Sequence, residues 1–285
     1  MMRWVTGIAI AAGVLMLSSL GANQHQYTTP ANADSVFTQS AAEILKRDFT
    51  DRNVSYLLLD ARSGRLLASR WETPYQPIPM GSLVKPFTAL AYGEQHGFRY
   101  PSHICRGTAT GCWRPRGHGT VTLATAVAQS CNSYFRMLAS SLRAGDVQGT
   151  AESFGIDAPD RSATSANLIG LGRKWRVSPI SLARAYLEIV ARRDQPGVRQ
   201  IVEGMALSAR DGTGAAVGRA LPHTGALVKT GTAPCTHARR APGDGFVVAV
   251  WPASNPRILL LVRAHGKPGA EAAVTAGEML RRISQ

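Results

Sequence analysis

The sequence predicts a mixed α/β fold of the α+β kind. It has one antiparallel sheet of five strands, an N-terminal and a C-terminal helix flanking the sheet, and a helical lobe inserted between the second and third strands. Three observations lead there. Apolar strand-like runs come as a pair near the start and as a triplet near the end, helical periodicity dominates residues 82–195 between them, and a helical stripe opens and closes the folding unit. The 285 residues are 45% hydrophobic and 18% charged and show no internal repeat, so one large core is expected.

The elements follow in order. Arg3 leads into an apolar run from Val5 to Leu20, then small Gly21 and Ala22. Residues 1–22 are therefore a signal peptide or an uncleaved membrane anchor, residues 23–35 a linker, and residues 36–285 the folded domain, working outside the cytoplasm. Residues 36–48 carry a helical stripe. Residues 54–60 (VSYLLLD) and 65–71 (RLLASRW) read as two strands joined at Ala61-Arg62-Ser63-Gly64, with Asp60 a turn residue. A Gly/Cys/Pro-rich loop at 101–119 interrupts the helical stretch. Strands return at 225–233, 245–251 and 257–265, with Asp244 beside a turn, and an amphipathic helix at 270–283 closes the chain behind Pro268 and Gly269. A ligand cleft is expected where the lobe meets the sheet.

The formal charge of +14 invites a nucleic-acid reading, but no basic run or aromatic recognition signature accompanies it, so no nucleic-acid partner is expected. Lysine usage says more. Of 32 basic residues only five are lysine (46, 85, 174, 229 and 267), and two of these fall in the motifs below. Among the cysteines, Cys105 and Cys112 bracket a short Gly/Thr loop, and export would place them in an oxidising compartment. They are read as a local disulfide, with free thiols as the alternative. His103 and His118 flank the pair, which makes a zinc site a third alternative, but the spacing matches no standard zinc finger and no metal or cofactor is expected. His118 is read as a turn residue, Trp113 as loop or core packing with cleft lining as the alternative, and His237, Arg239 and Arg240 as a solvated hairpin.

Three short motifs occur in order: Ser82-Leu83-Val84-Lys85, Ser130-Cys131-Asn132, and Lys229-Thr230-Gly231-Thr232. Pro86 has no N–H to give, so a helix should start near Ser82. Residues i and i+3 share a helix face, which puts Lys85 beneath the Ser82 hydroxyl at a helix N-terminus. A serine hydroxyl needs a base, and a buried lysine can lose its proton where arginine cannot. That accounts for lysine at position 85 of an arginine-rich chain. Lys229 on a strand can hold a carboxylate and tune a neighbouring hydroxyl, and Gly231 leaves room for a ligand against that strand. Each motif alone is weak, and a second S-x-N exists at Ser165-Ala166-Asn167. The ordered set is specific.

The set resembles that of the penicillin-binding transpeptidase family and its β-lactamase relatives. The segments IPMGSLVKPFTALA, HGTVTLATAVAQSCNSYF, LIGLGRKWRVSPISLARAY, VEGMALSARDGTG and VKTGTAPC are similar to the family's in the same order, which selects Ser130 over Ser165. The resemblance implies an acyl-enzyme on Ser82 with Lys85 as base. It also implies Ser130 as proton relay, Asn132 on the substrate amide, and Lys229, Thr230 and Thr232 on the substrate carboxylate. The N–H groups of Ser82 and Thr232 would form the oxyanion hole. It implies peptidoglycan stem peptides ending in D-Ala-D-Ala as substrates, β-lactams as acylating ligands, and cell-wall synthesis proteins as partners. A β-lactamase or a non-turnover sensor is the alternative. The class A hydrolase E-x-x-x-N element does not match, because Glu152 is followed at that spacing by Ile156, and the class D hydrolase S-x-V is replaced by Ser130-Cys131-Asn132.

Overall fold

A computed structural model describes residues 30–235 and 243–285, with side chains described from residue 34 onward. The chain opens with α1 (Pro30–Asp48), β1 (Val54–Asp60), β2 (Leu66–Arg70) and β3 (Ile78–Pro79), followed by a 3-10 turn, Gly81–Val84, that runs into α2 (Lys85–Gln95). The lobe continues with β4 (His103–Cys105), β5 (Gly119–Val121), α3 (Leu123–Ala128), α4 (Asn132–Ala139) and α5 (Ala144–Ser153). Then come α6 (Ser165–Leu168), β6 (Arg176–Val177), α7 (Pro179–Ala191), α8 (Val198–Asp211) and α9 (Ala215–Ala220). The chain returns to the sheet through β7 (Leu227–Ala233), β8 (Asp244–Trp251) and β9 (Ile258–Ala264), and ends with α10 (Gly269–Ile283).

The five-stranded sheet has the order β2-β1-β9-β8-β7, and every neighbouring pair is antiparallel. This is the expected sheet, reached by placing the last strand of the triplet beside the first strand of the pair. The runs are apolar without alternation because both faces are covered. On one face Tyr56, Leu58, Val247, Leu260 and Val262 pack against Leu45 of α1 and Ala272, Ala276 and Leu280 of α10. On the other, Leu57, Leu59, Phe246, Val248 and Leu261 join the lobe through Leu83, Phe87 and Tyr186.

Three expectations are corrected. The helix α1 takes in residues 30–35, assigned above to the linker. Pro30 suits a first helical position, where its missing N–H goes unused, and Ala31 and Ala33 favour helix. Asp244 is not a turn residue: it is buried at the start of β8 and pairs with Arg263 of β9, whose Nε lies 3.0 Å from Asp244 Oδ2. Asp244 Oδ1 also accepts the Gly266 N–H at 2.9 Å, which joins two strands and the turn leading to α10. Cys105 and Cys112 are not bonded to each other, and neither they nor Cys131 is in a disulfide. The loop between Cys105 and Cys112 contains a 3-10 turn, Gly107–Thr110, and their sulfurs lie within 4.8 Å of each other without a bond. Asp60 does hold the β1–β2 turn, its Oδ1 accepting the N–H groups of Arg62 and Ser63 at 3.1 and 2.8 Å.

Among the described residues, no helix is long and apolar enough to cross a membrane. The expected leader at 1–22 and the hairpin residues His237, Arg239 and Arg240 lie outside the described residues.

Candidate active site

The nucleophile turn is built as the sequence required, one step tighter. Ser82 sits in the 3-10 turn, and the N–H of Lys85, rather than that of Pro86, donates to the Ser82 carbonyl. The α-helix takes over at Lys85 with Pro86 in its first turn. From the lobe, the Tyr186 hydroxyl donates to the Leu83 carbonyl at 2.8 Å. From the sheet, β7 lies so close that glycine is required at position 81. Gly81 has φ +58°, and a Cβ there would stand 2.3 Å from the Thr232 carbonyl oxygen. The backbone of Thr232 therefore abuts the turn that carries Ser82.

The second motif sits at a helix end. Beyond α3 the Ser130 N–H donates to the Val127 carbonyl and the Cys131 N–H to the Ala126 carbonyl, at 3.2 and 2.9 Å, the paired bonds of a Schellman C-cap. Ser130 occupies the left-handed position of that cap with φ +50°, where glycine is usual. This conformation costs a non-glycine residue about 1 kcal/mol and turns the hydroxyl inward. Asn132 then starts α4.

Two lysines converge on that hydroxyl. Lys85 and Lys229 are both fully buried. Lys85 Nζ donates to Asn132 Oδ1 at 2.6 Å, to the Ser130 carbonyl at 2.9 Å and to Ser130 Oγ at 3.3 Å. Lys229 Nζ donates to Ser130 Oγ at 3.0 Å and to the Thr230 carbonyl at 2.6 Å. Burial brings Lys85 down from lysine's ordinary 10.5 to about 7. Burial, and after it the charge of Lys85, holds Lys229 well below the usual lysine range. The arrangement can place a neutral amine beside a serine hydroxyl and keep a second hydroxyl ready to give or take a proton.

These groups open onto a cleft of about 360 Å³ between lobe and sheet, lined by Ser82, Ser130, Asn132, Thr230, Gly231 and Thr232 together with Leu171, Trp113, Thr213 and Gly269. All the residues singled out from the three motifs thus meet at one place. A larger groove of about 620 Å³, bordered by Glu203, Arg210 and Arg219, presents no comparable nucleophile. Ser165 opens α6 and does not line the cleft.

Two roles differ from expectation. The space left by Gly231 belongs to the nucleophile turn, since a Cβ there would meet the Met80 carbonyl oxygen at 2.9 Å and the Leu83 nitrogen at 3.2 Å. Lys229 lies beneath Ser130, so its charge reaches the cleft through that hydroxyl. Two lining residues were not singled out for the site: cleft lining was only the alternative reading of Trp113, and Thr213 had none. Trp113 is 52% exposed at the cleft mouth, with its Nε1–H on the Gln129 carbonyl at 3.2 Å. Thr213 accepts the Thr230 hydroxyl. Thr213 falls inside the VEGMALSARDGTG segment, so a signal for it was present; Trp113 had only its loop.

Fold and site together define a serine transpeptidase-type enzyme. The description penicillin binding protein transpeptidase domain matches residues 54–285, and the chain belongs to that family. Its fold is similar to that of Pseudomonas aeruginosa PBP2, solved in complex with WCK 5153, at 19% identity and a TM-score of 0.69, covering 88% of this chain and 73% of that one. The transpeptidase domain of Burkholderia pseudomallei penicillin-binding protein 3 is similar at 18% identity and a TM-score of 0.67, covering 88% and 92%. Helicobacter pylori PBP2, solved in complex with MreC, is similar at 15% identity and a TM-score of 0.70, covering 87% of this chain and 62% of that one. No curated protein sequence matches the chain.

Proposed function

We propose that this chain is an exported D,D-acyltransferase that acts on peptidoglycan stem peptides ending in D-Ala-D-Ala, as a transpeptidase or carboxypeptidase, and that β-lactams acylate it. The observation that carries the reading is the Ser130 hydroxyl held between Lys85 and Lys229 beside Ser82.

In this scheme neutral Lys85 takes the Ser82 proton as Oγ bonds to the carbonyl carbon of the penultimate D-Ala. The oxyanion is met by the N–H groups of Ser82 and Thr232, which the close fit at Gly81 brings together. Ser130 gives its proton to the leaving D-Ala nitrogen as the C–N bond breaks, and Lys85 returns one to Ser130. The side chain of Asn132 orients the substrate amide. The hydroxyls of Thr230 and Thr232 hold the terminal carboxylate, supported by the charge of Lys229 below them. An acceptor amine or water then releases the acyl group. A β-lactam enters the same path, but its nitrogen stays tethered after ring opening and blocks the acceptor. The apolar run at Val5–Leu20 supports export.

Intact-protein mass after incubation with benzylpenicillin, and separately with a D-Ala-D-Ala peptide, tests this. A penicilloyl adduct on the wild-type chain and its absence from Ser82→Ala are expected, together with release of D-Ala from the peptide. Labelling that persists in Ser82→Ala removes the nucleophile assignment. Rapid loss of the adduct would make the chain a β-lactamase, and a stable adduct without peptide turnover would make it a sensor.

A further inference from the structure

Four side chains that the acylation scheme does not use converge behind the second motif. Cys105 ends β4, Cys112 follows the 3-10 turn, His118 precedes β5, and Cys131 caps α4 between Ser130 and Asn132. Their ligand atoms, three Sγ and one ring nitrogen, all lie within 4.8 Å of one another. We propose that Cys105, Cys112, His118 and Cys131 form a tetrahedral site for one zinc ion.

The distances fit the edges of such a tetrahedron. Bonds of about 2.3 Å to sulfur and about 2.0–2.1 Å to nitrogen require S···S edges near ~3.8 Å and S···N edges near ~3.5 Å. His118 Nδ1 stands 3.5 Å from Cys105 Sγ and 3.6 Å from Cys112 Sγ, and Cys112 Sγ stands 3.9 Å from Cys131 Sγ. A disulfide needs about 2.05 Å, and none of the three site cysteines is in one. Thiols packed merely as small apolar groups would give similar sulfur separations, but they do not explain the histidine. Its Nδ1 is aimed at two sulfurs, and its buried Nε2 has no hydrogen-bond partner among the described residues. His103, the other histidine flanking the loop, is engaged elsewhere, on Ser133 Oγ at 2.6 Å.

The loop is also shaped around these atoms. A Cβ at Gly107 would meet the Pro115 carbonyl oxygen at 1.9 Å, and one at Gly117 the Cys105 carbonyl oxygen at 2.1 Å, so the loop folds tightly onto itself. Three thiolates and an imidazole in tetrahedral array select zinc over hard cations. The spacing, Cys-x6-Cys-x5-His-x12-Cys, is not that of a standard finger, which is why no metal was expected from sequence. The ion ties loop 105–118 to the corner that presents Ser130 and Asn132.

The test is metal content and cobalt spectroscopy on the whole chain, purified with zinc present and without chelator. One zinc per chain is expected. After exchange with Co²⁺, a near-ultraviolet thiolate-to-cobalt charge-transfer band with tetrahedral visible bands should appear. Cys112→Ser, which leaves the acylation machinery untouched, should cut that band by about a third or abolish it. Because any cysteine variant can misfold, the spectrum of the unaltered chain is decisive by itself. A cobalt spectrum without the charge-transfer band overturns the proposal. So does non-reduced peptide mapping that finds Cys105 bonded to Cys112 in protein carrying no zinc.

Discussion

Lys85 and Ser130 carry the most directly testable chemistry. With Lys85 brought to about 7 by burial, its neutral form is the reactive one. The second-order rate of fluorescent penicillin labelling should therefore rise with pH through about 7 and level off above it. Lys85→Arg keeps the charge but cannot give up a proton. It should label more slowly by about 10²–10⁴-fold, and its pH step should vanish. An arginine variant that labels at near the wild-type rate would make Lys85 a charge rather than a base. The backbone of Ser130 permits a different comparison. Ser130→Ala and Ser130→Gly both remove the hydroxyl that Lys229 and Lys85 share, so both should lose acylation. Only alanine then has to hold φ +50° with a Cβ. Urea denaturation should find the glycine variant more stable than the alanine variant by about 1 kcal/mol. Equal stabilities would mean that the cap relaxes once the hydroxyl is gone.

At the scale of elements, the joint between the nucleophile turn and β7 is the most constrained contact. Gly81→Ala adds a methyl where the Thr232 carbonyl oxygen already stands 2.3 Å away, at a positive φ. The turn must move, at a cost of about 1–3 kcal/mol from φ strain alone. In thermal unfolding that is a fall of about 2–4 °C for each kcal/mol in a domain of this size. Penicillin labelling should drop with it, since Ser82 and Thr232 no longer meet in register. A variant with unchanged melting and labelling would show that the contact is slack. The sequence made part of this joint legible. Pro86 located the helix start, the apolar runs located all five sheet strands within a residue or two, and lysine at 85 and 229 marked the site. What remained hidden depends on distant segments meeting. Nothing local to Asp244 announces a buried partner nineteen residues on, and Gly231 reads as room for a ligand until the turn that fills that room is in place. The pairing of Cys105 with Cys112 followed from their short separation, whereas the fold adds His118 and Cys131, thirteen and twenty-six residues beyond Cys105.

For the molecule as a whole, the sheet is shared by two cores, one under the terminal helices and one under the lobe, and the buried Asp244–Arg263 pair crosses from β8 to β9. Removing one member leaves a buried charge, so Asp244→Ala should cost about 3–5 kcal/mol in urea denaturation. Arg263→Met in the same background should recover part of that loss, because the buried guanidinium is then gone. A double variant no more stable than Asp244→Ala would mean that Asp244 matters through its bond to the Gly266 N–H instead. The close-packed seam beside Ser82 has a further implication, for drug resistance. Cβ atoms at Gly81, Gly170, Gly231 and Gly269 would each land within 3 Å of the backbone of a neighbouring segment at or beside the seam. Mutation therefore has few viable options there, and a lineage under β-lactam selection has to work from the cleft's rim. Trp113 and Thr232, both exposed, are the positions where altered drug sensitivity should arise first.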